Sequence, residues 1–477
     1  MFSHDDPSII WIGPGAGGTG RGSRDDPYGD VSEAIGRARP GDTVVFIAGR
    51  YTTDVTIQNS GTVDHPIRVT SETEGCAEFV GACWYLYDVS DLIITGLVFK
   101  NTPHAAISAV GACERNCFRS LRFIACGTAK EGSSTMFFGG SGGRCNVVDT
   151  CIFDAREPSD TAAIHTPAHS IGILITEGDG EHEGMTNRDH IFRRNIFRNY
   201  GCGILVGSRG TGERQYGHVI EHNEIRDCAA DGIRVRCGDT ILRGNVIERC
   251  GGNAISLIQG MSSVVTDNRI EHCGVGIRVQ GTGHTLSNNC IVGCRVQAIH
   301  VACGGEEGTE PAGNCIIEHN TMLQGADTGG GAFLGIRVDP GTSCVIQGNL
   351  FSGRGHAYTG RDGGQGGAIS LFADENLITD GCGAAAGCRR EQVAFADANA
   401  GDYENSSGAG ARGWMMRGQI IETGAGEETG PDGEGPAEGG ECEEEQAAGN
   451  RRNELLGRSF FFGFDDSNDD DGLDDEL

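Results

Sequence analysis

HNEIRDCAADGIRV occupies residues 222–235, and the same phrase returns as GNVIERCGGNAISL (244–257), DNRIEHCGVGIRV (267–279) and NNCIVGCRVQAIHV (288–301). Each copy has an Asn, an aliphatic residue two positions later, a Cys five positions later and an Ile nine or ten positions later. The Asn residues stand at 223, 245, 268 and 289, in steps of 22, 23 and 21 residues. A repeat of this length with Gly at its corners is typical of one turn of a solenoid.

Short runs within each unit, such as HVIEHNEI, TILRGNVI and SVVTDNRI, alternate polar and apolar residues, which predicts strands with one buried face. Turns stacked about 4.7–4.9 Å apart would place equivalent apolar residues in continuous interior columns. The predicted columns are Ile225, Ile247, Ile270 and Ile291; Ile233, Ile255, Ile277 and Ile299; and Ile220, Leu242, Val265 and Leu286. Each Asn amide is predicted to bond its own tight turn and the equivalent Asn one turn away.

The phrase continues in degraded form on both sides of this central block. The predicted Asn slots are Gly96, Leu121, Thr150 and Asn195 upstream, and Asn320 and Asn349 downstream. The pattern predicts an all-β fold, a single-stranded right-handed parallel β-helix of ten or more coils between about Gly41 and Ala400. A leucine-rich repeat is the alternative, but its Leu spacing and the helical half of each unit are missing.

The chain outside the repeats is predicted to form a cap and a tail. Residues 1–40 form an N-terminal segment whose stretch DVSEAIGRA (30–38) is a short cap helix, residues 41–410 form the β-helix, and residues 411–477 form the tail. From Glu422 to Leu477, 19 Asp and Glu stand against three Arg. Such an acidic stretch, rich in Gly and poor in apolar residues, is predicted to be largely disordered.

Composition limits the partners and the compartment. The net charge of −30 argues against a nucleic-acid partner, and no apolar run is long enough for membrane insertion. Among 20 Cys, four share one repeat position, which predicts a stack of reduced core thiols, with pairing between stacked neighbours as the alternative: Cys228, Cys250, Cys273 and Cys294. No secretory signal pattern is visible at the N-terminus, so the cytoplasm, a virion, or the extracellular space after leader removal stay open.

Two stretches carry a family resemblance. DDPYGDVSEAIGRARPGDTVVFIAGRYTTDVTIQNSGTVDHPIRVTSE (25–72) resembles the start of secreted right-handed β-helix proteins of the pectate-lyase-like superfamily, and FADANAGDY (395–403) resembles their closing stretch. The resemblance spans nearly all of residues 8–410. Its members include polysaccharide lyases, hydrolases, epimerases and viral tailspikes, so it implies the fold and leaves the reaction open.

Among active enzymes, the chain is similar to the alginate lyase and chondroitinase B family. In that family a Lys acts as the base, an Arg one turn later assists it, and calcium on acidic residues neutralises the substrate carboxylate. The resemblance places Arg236 of DGIRVRC on the lysine, Asp231 on one acidic ligand, and Ile258 of LIQG on the arginine. A second acidic ligand would fall near Ala229.

The strand that begins at the last Ile of each phrase turns alternate residues outward. By coil, these outward residues are Leu205, then Arg234 and Arg236, Ser256 and Ile258, Arg278 and Gln280, His300, and Arg337 and Asp339. Arginines suit the carboxylates of an acidic glycan, so Arg234, Arg278, Gln280 and Arg337 are predicted to bind substrate. The alternative is that these arginines solvate a strand face in a protein with only two Lys.

Two insertions add candidate site residues beside this strand. TEGDGEHEGMTNRDH (176–190) supplies carboxylates that, together with Asp231, are predicted ligands of Ca²⁺, with a solvated acidic loop as the alternative. These residues are Glu177, Asp179, Glu181 and Glu183. GSRGTGERQYGH (207–218) supplies Arg209 and Arg214 as predicted substrate-binding residues, and Tyr216 and His218 as predicted catalytic residues.

β-Elimination of a uronate needs charge neutralisation at the carboxylate, a base for the C5 proton and an acid for the leaving oxygen. Arg236 or Tyr216 is the candidate base and His300 or His218 the candidate acid, although Arg ordinarily stays protonated. The sequence thus favours a carbohydrate-facing β-helix protein that binds an acidic polysaccharide and, on this hypothesis, cleaves it. The alternative is a non-catalytic structural or adhesive protein, such as a virion spike or a surface fibre, with a homotrimer as one candidate assembly.

Overall fold

The computed structural model describes most of the repeat region. The described residues are 9–15, 20–128, 133–140, 142–156, 170–176, 187–207, 217–304, 311–325, 332–360, 370–374, 376–378, 382–383, 388–390, 395–397 and 402–405. They all lie within one compact unit, Met1–Arg417. The tail predicted to be disordered therefore lies outside the described residues.

One helix and 43 strands make up the described chain. In chain order they are β1 Ile9–Ile12, α1 Val31–Arg37, β2 Thr43–Phe46, β3 Gly49–Tyr51, β4 Val55–Ile57, β5 Ile67–Ser71, β6 Ala77–Val80, β7 Trp84–Tyr87, β8 Leu92–Thr95, β9 Val98–Lys100, β10 Ile107–Val110, β11 Cys117–Arg119, β12 Arg122–Ile124, β13 Ser134–Gly139, β14 Val147–Asp149, β15 Ile152–Asp154, β16 Ile171–Ile175, β17 Ile191–Arg193, β18 Ile196–Arg198, β19 Cys202–Val206, β20 Val219–Glu221, β21 Glu224–Arg226, β22 Ile233–Val235, β23 Ile241–Arg243, β24 Val246–Glu248, β25 Asn253–Leu257, β26 Val264–Thr266, β27 Arg269–Glu271, β28 Val275–Val279, β29 Thr285–Ser287, β30 Cys290–Val292, β31 Gln297–Val301, β32 Cys315–Glu318, β33 Thr321–Leu323, β34 Phe333–Val338, β35 Ser343–Gln347, β36 Leu350–Ser352, β37 Gly355–Gly360, β38 Ser370–Asp374, β39 Asn376–Ile378, β40 Cys382–Gly383, β41 Cys388–Arg390, β42 Phe395–Asp397 and β43 Asp402–Asn405.

Three long parallel sheets wind around one interior. Sheet A has the order β1-β2-β5-β8-β11-β14-β17-β20-β23-β26-β29-β32-β35-β38, sheet B the order β3-β6-β9-β12-β15-β18-β21-β24-β27-β30-β33-β36-β39-β41, and sheet C the order β4-β7-β10-β13-β16-β19-β22-β25-β28-β31-β34-β37-β40. The chain passes through A, B and C once per coil, and each strand pairs with its counterpart in the next coil. This is the predicted right-handed parallel β-helix. The strands β42 and β43 form a separate antiparallel pair.

The three predicted apolar columns are confirmed in the strand register. Ile225, Ile247, Ile270 and Ile291 are direct partners in sheet B; Ile233, Ile255, Ile277 and Ile299 in sheet C; and Ile220, Leu242, Val265 and Leu286 in sheet A. All twelve side chains are fully buried. The hydrophobic burial of these columns is the main favourable term that holds the coils together.

A ladder of asparagines occupies the corner between sheets A and B. Its members are Asn195, Asn223, Asn245, Asn268, Asn289, Asn320, Asn349 and Asn376. At Asn223, Oδ1 accepts hydrogen bonds of 3.0 Å from the backbone N–H and from Nδ2 of Asn195. Its own Nδ2 donates to the carbonyl of Phe192 at 2.8 Å. Each amide therefore joins its own coil to the coils on either side, as predicted.

Two of the predicted upstream slots, Gly96 and Thr150, are wrong by one residue. The register aligns Leu97 and Cys151 with Asn195, and the N–H of Cys151 donates to Oδ1 of Asn195 at 2.9 Å. Gly96 and Thr150 instead have φ angles of 69° and 52° and precede the slot. The corner needs this left-handed backbone one residue before the ladder position, and glycine adopts that conformation most readily.

Aromatic rings fill the sheet B column in the coils that precede the asparagine ladder and in its first coil. Phe79, Phe99, Phe123, Phe153 and Phe197 stack with ring centroids 4.5–5.3 Å apart. Such pairs contribute about 0.5–1.5 kcal/mol each beyond their buried area. In this half of the solenoid, stacked rings accompany the apolar corner residues.

The cap helix is present at the predicted place. Helix α1 begins after Asp30, whose carboxylate accepts the N–H of Glu33 at 2.9 Å, and Asn59 Nδ2 donates to two carbonyls at its C-terminal end. Strand β1, which the sequence analysis missed, precedes the helix and joins sheet A beside β2. Among the described residues, no helix has the length and apolar character that crossing a membrane requires.

The cysteines of the repeat form the predicted stack of buried thiols. Cys228, Cys250 and Cys273 are buried, and the N–H of Cys250 lies 3.4 Å from the Sγ of Cys273. None of the four cysteines of the stack, including Cys294, forms a disulfide bond. A hydrogen bond with Cys250 and burial raise the pKa of the Cys273 thiol, so it stays protonated.

A second polar ladder, which the sequence analysis missed, lies just before the strands of sheet A. Its fully buried members are Asn116, Asn146, His190, His218, Thr240, Ser263 and His284. The N–H of Asn146 donates to Nδ1 of His190, and the N–H of Ser263 donates to Nδ1 of His284. The sequence does contain a pattern that indicates this ladder, because a polar residue begins each of the stretches HIFR, HVIE, TILR, SVVT and HTLS.

The position of His218 does not fit the general acid proposed for it. Its side chain has 0% exposure, and its ring stacks on His190 with centroids 5.3 Å apart. A general acid must face the leaving oxygen of a substrate, whereas this ring packs among the buried side chains of the second ladder, just before the strands of sheet A. We therefore no longer assign His218 a catalytic role; it packs inside the corner.

We predict that Asn245→Ala destabilises the protein by roughly 2–4 kcal/mol, because it removes the acceptor of two buried donors on Asn223 and frees the carbonyl of Ile220. Urea unfolding would measure the loss. Arg243→Ala in the same coil is the control, since its ion pair with Glu221 is half exposed and contributes at most about 1 kcal/mol. Equal losses in the two variants would contradict a structural role for the ladder.

The histidines of the second ladder predict acid sensitivity. Burial lowers the pKa of His190 to about 3 and that of His284 to about 4. Above pH about 6.5, both folded and unfolded states are neutral; below it, the unfolded state binds protons first, so stability falls by up to about 1.4 kcal/mol per pH unit per histidine. His190→Asn, which copies Asn146 one coil away, should reduce the loss of unfolding free energy between about pH 7 and pH 5. Exposed His65→Asn is the control, and an unchanged slope in His190→Asn would refute the assignment.

Candidate functional site

The outward face of sheet C carries a row of side chains at one register position, and all of them are polar from β22 onward. We call it the outward row: Leu205, Arg234, Ser256, Arg278, His300, Arg337 and Thr359, on β19, β22, β25, β28, β31, β34 and β37. Ile233 and Val235 point into the core on either side of Arg234, so alternation turns Arg234 outward. The outward positions derived from the sequence are thus neighbours on successive coils.

A second set of residues continues the strands of sheet C by one position. Arg236, Ile258, Gln280, Ala302 and Asp339 each donate a backbone N–H to the preceding coil, with N–O distances of 2.8–3.0 Å. All five are buried, although they lie two residues beyond outward-facing positions. Polar groups at this edge are therefore largely shielded from water.

Asp231 fixes the first arginine of the outward row. Arg234 Nε donates to Oδ2 of Asp231 at 2.8 Å. Oδ1 of Asp231 accepts from the backbone N–H and from Nδ2 of Asn253 at 2.8 and 3.0 Å. Both carboxylate oxygens of Asp231 therefore hold neighbouring protein groups.

Asp339 joins the last two members of the row. Its Oδ2 lies 2.9 Å from Nε2 of His300, and its Oδ1 accepts a bond of 2.8 Å from Nε of Arg337. Burial lowers the pKa of His300 below 6.5, although the bond to Asp339 opposes the change. Burial by itself would raise the pKa of Asp339, but its bonds and charge interactions with His300 and Arg337 lower it. At neutral pH, the pair is thus a neutral imidazole beside a carboxylate.

Arg278 lies between these two groups and differs from the other arginines of the row. It forms no ion pair with any residue in the described ranges, and its buried Nε has no hydrogen-bond partner there. Its charge contributes to the lowered pKa of His300. The centre of the outward row therefore carries a positive charge that no carboxylate of the described residues pairs with.

The two positions aligned with the family's catalytic lysine and arginine do not supply that chemistry. Arg236 is 7% exposed, and a guanidinium stays protonated, so we do not retain it as the base. Ile258 is buried and has no proton to exchange. The residues that sequence reasoning missed are Ser256, which it gave no role, and Asp339, whose bond to His300 crosses 39 residues of sequence.

Several predicted site residues lie outside the described residues. They are Tyr216, Arg209, Arg214, Glu177, Asp179, Glu181 and Glu183. Within the described ranges, no cluster of three or more His, Cys, Asp or Glu side chains could hold a metal ion. The Ca²⁺ site therefore stays a prediction.

Comparison with known proteins identifies proteins of similar fold. A family model described as "Right handed beta helix region" matches residues 172–334, and no curated protein matches the sequence. A variant of the family 6 alginate lyase AlyGC gives a TM-score of 0.63 at 16% identity, covering 84% of this chain and 58% of that one. The chain thus spans little more than half of that lyase.

Two further solved structures are similar over most of their length. The alginate lyase AlyF-OU02 gives a TM-score of 0.58 at 15% identity, covering 80% of this chain and 90% of that one. The family 6 polysaccharide lyase Pedsa3628 from Pseudopedobacter saltans gives 0.53 at 15% identity, covering 73% and 90%. Identities this low carry the architecture and no residue roles. This chain is a right-handed parallel β-helix protein that shares its fold with alginate lyases of polysaccharide lyase family 6.

Proposed function

We propose that this protein binds an acidic, uronate-containing polysaccharide along the outward row from β22 to β34 and cleaves it by β-elimination. The single observation that carries the proposal is the 2.9 Å contact between His300 and Asp339, on strands that place His300 between Arg278 and Arg337. A histidine held by a carboxylate beside arginines combines a proton acceptor with charges that attract a carboxylate. The fold shared with alginate lyases supports the proposal by analogy.

We assign the role of base to His300, which the sequence analysis had proposed as the acid. The Asp339 carboxylate is an acceptor, so Nε2 carries the ring proton and Nδ1 carries the lone pair. With its pKa lowered by burial, the ring is neutral at neutral pH and ready to accept a proton.

The reaction balances without a further reagent. The C5–H bond of the uronate breaks and its proton passes to Nδ1 of His300, the C4–O bond breaks, and a C4=C5 double bond forms. The leaving oxygen takes a proton from water or from a side chain such as Tyr216, whose role stays a prediction. Arg278 and Arg337 stabilise the negative charge that develops on the uronate carboxylate.

A second candidate is a non-catalytic protein with the same carbohydrate-facing surface, such as a virion spike or a surface fibre. It is favoured by Arg236 and Ile258, which stand where the resembling lyases have their lysine and arginine. This alternative predicts binding of the acidic glycan without turnover. A homotrimer is the candidate assembly for this second candidate function, and light scattering of the purified protein would test it.

We expect a rise in ultraviolet absorbance from unsaturated uronate when the protein is incubated with alginate, pectate or chondroitin. His300→Gln should lower the rate about a hundredfold to ten-thousandfold, since it removes the base. Arg243→Gln, on sheet A, should leave the rate unchanged. A rise that survives His300→Gln would place the chemistry elsewhere, and binding without any rise would favour the non-catalytic alternative.

We also propose that the acidic insertion at 176–190 binds Ca²⁺ next to this surface. Calorimetric titration of CaCl₂ into the protein should then release or absorb heat, because carboxylate oxygens are the preferred ligands of this ion. The heat should disappear in a variant carrying Glu177→Gln, Asp179→Asn, Glu181→Gln and Glu183→Gln. A wild-type protein that gives no heat and keeps its uronate affinity in a chelator would exclude the metal.

A further inference from the structure

Two buried polar side chains, Ser256 in the centre of the outward row and Gln280 one position beyond β28, have no hydrogen-bond partner among the described residues. Ser256 is 1% exposed and Gln280 is 0% exposed. Neither Oγ of Ser256 nor Oε1 and Nε2 of Gln280 has a hydrogen-bond partner among the residues that the structure describes. A buried polar group without a partner costs free energy, and proteins therefore contain few of them. Three such atoms on adjacent coils call for a ligand.

Arg278 connects the two side chains. It pairs in register with Ser256 on the preceding coil, and Gln280 follows it two residues later, one position beyond the end of β28. Arg234 and Arg337 each have a carboxylate partner at 2.8 Å, whereas Arg278 has none in the described part of the chain. The unpartnered polar atoms thus lie next to Arg278, the arginine of the row for which the described residues supply no carboxylate.

The chemistry of the three side chains selects the ligand. A serine hydroxyl, a glutamine amide and a guanidinium all donate hydrogen bonds, and the planar guanidinium matches a carboxylate in two parallel bonds. The glutamine Oε1 can accept a bond from a sugar hydroxyl. We infer that Ser256, Arg278 and Gln280 form the binding position for one uronate carboxylate, an inference that rests on the proposed function.

This position lies one coil from the proposed base. Arg278 and His300 are direct register partners on β28 and β31, about 4.8 Å apart. A carboxylate bound there holds the C5 atom that bears it next to His300. The three side chains therefore select a uronate over a neutral sugar at the ring where the bond breaks.

The test compares two ligands that differ only in charge: a uronate oligosaccharide from alginate, and the same oligosaccharide after reduction of its carboxyl groups to alcohols. Binding is measured by calorimetry in the His300→Gln background, which prevents turnover. This background should prefer the uronate, and adding Arg278→Gln should remove the preference through a loss of about tenfold to a hundredfold in uronate affinity. Adding Arg243→Gln instead, the matched control, should leave it intact.

A second variant separates binding from folding. Gln280→Leu keeps the approximate side-chain volume and removes the buried amide. We expect weaker uronate binding together with an unchanged or higher melting temperature, because an unsatisfied polar group has been replaced by an apolar one. A lower melting temperature with full uronate affinity would make Gln280 a structural residue and overturn the inference.

The outcomes for the inference and for the proposed function differ. If the His300→Gln protein binds neither oligosaccharide, the proposed function and this binding position both fail. If it prefers the uronate and Arg278→Gln retains that preference, the proposed function stands and only this binding position is wrong.

Discussion

An amide that bonds the coil before it and the coil after it requires successive coils to follow the same backbone path. From Asn195 to Asn376 this condition holds without interruption, since each Oδ1 from Asn223 onward accepts from the preceding asparagine at 2.9–3.1 Å. A slip of one residue would exchange the inner and outer faces of every strand. The corner bonds therefore determine that Arg234, Arg278 and His300 reach the solvent side of sheet C together.

The repeat period and the alternation were enough to predict the fold and the three interior columns, because these depend on local spacing alone. The second outward residue predicted on each strand of sheet C is instead buried: Arg236, Ile258, Gln280 and Asp339. Errors arose where spacing was ambiguous. At Gly96 and Thr150 the left-handed residue of the corner was taken for the ladder position. His218 was assigned to the surface because it ends an insertion, whereas the pattern HVIE places it inside the second ladder.

Side-chain partnerships could not be predicted in the same way. The bond between His300 and Asp339 joins adjacent coils separated by a long connection, so neither residue indicates the other in the sequence. That Arg278 has no carboxylate partner within the described ranges also cannot be seen without the strand register. Strand β1 was also not predicted, because helix α1 separates it in the sequence from its partner β2.

Charge is distributed unevenly along the outward row. Asp231 pairs with Arg234, and Asp339 pairs with Arg337. Arg278 lies between these two ion pairs and has no carboxylate partner among the described residues. The protein as a whole carries a net charge of −30, which repels polyanions at a distance. Charges more than roughly 8 Å apart are largely screened at physiological salt, so the charge of Arg278 acts mainly on groups that come close to it. A polyanion therefore meets attraction only at close contact.

Stacking in which every strand pairs with its equivalent in the next coil has an evolutionary consequence. The connections after sheet C, such as 176–190 and 207–218, vary in length while the paired strands on either side keep their register. Mutations that lengthen or rewrite such a connection leave the hydrogen-bonded spine untouched. Ligand preference can thus diverge in one part of a coil while selection for stability acts on another.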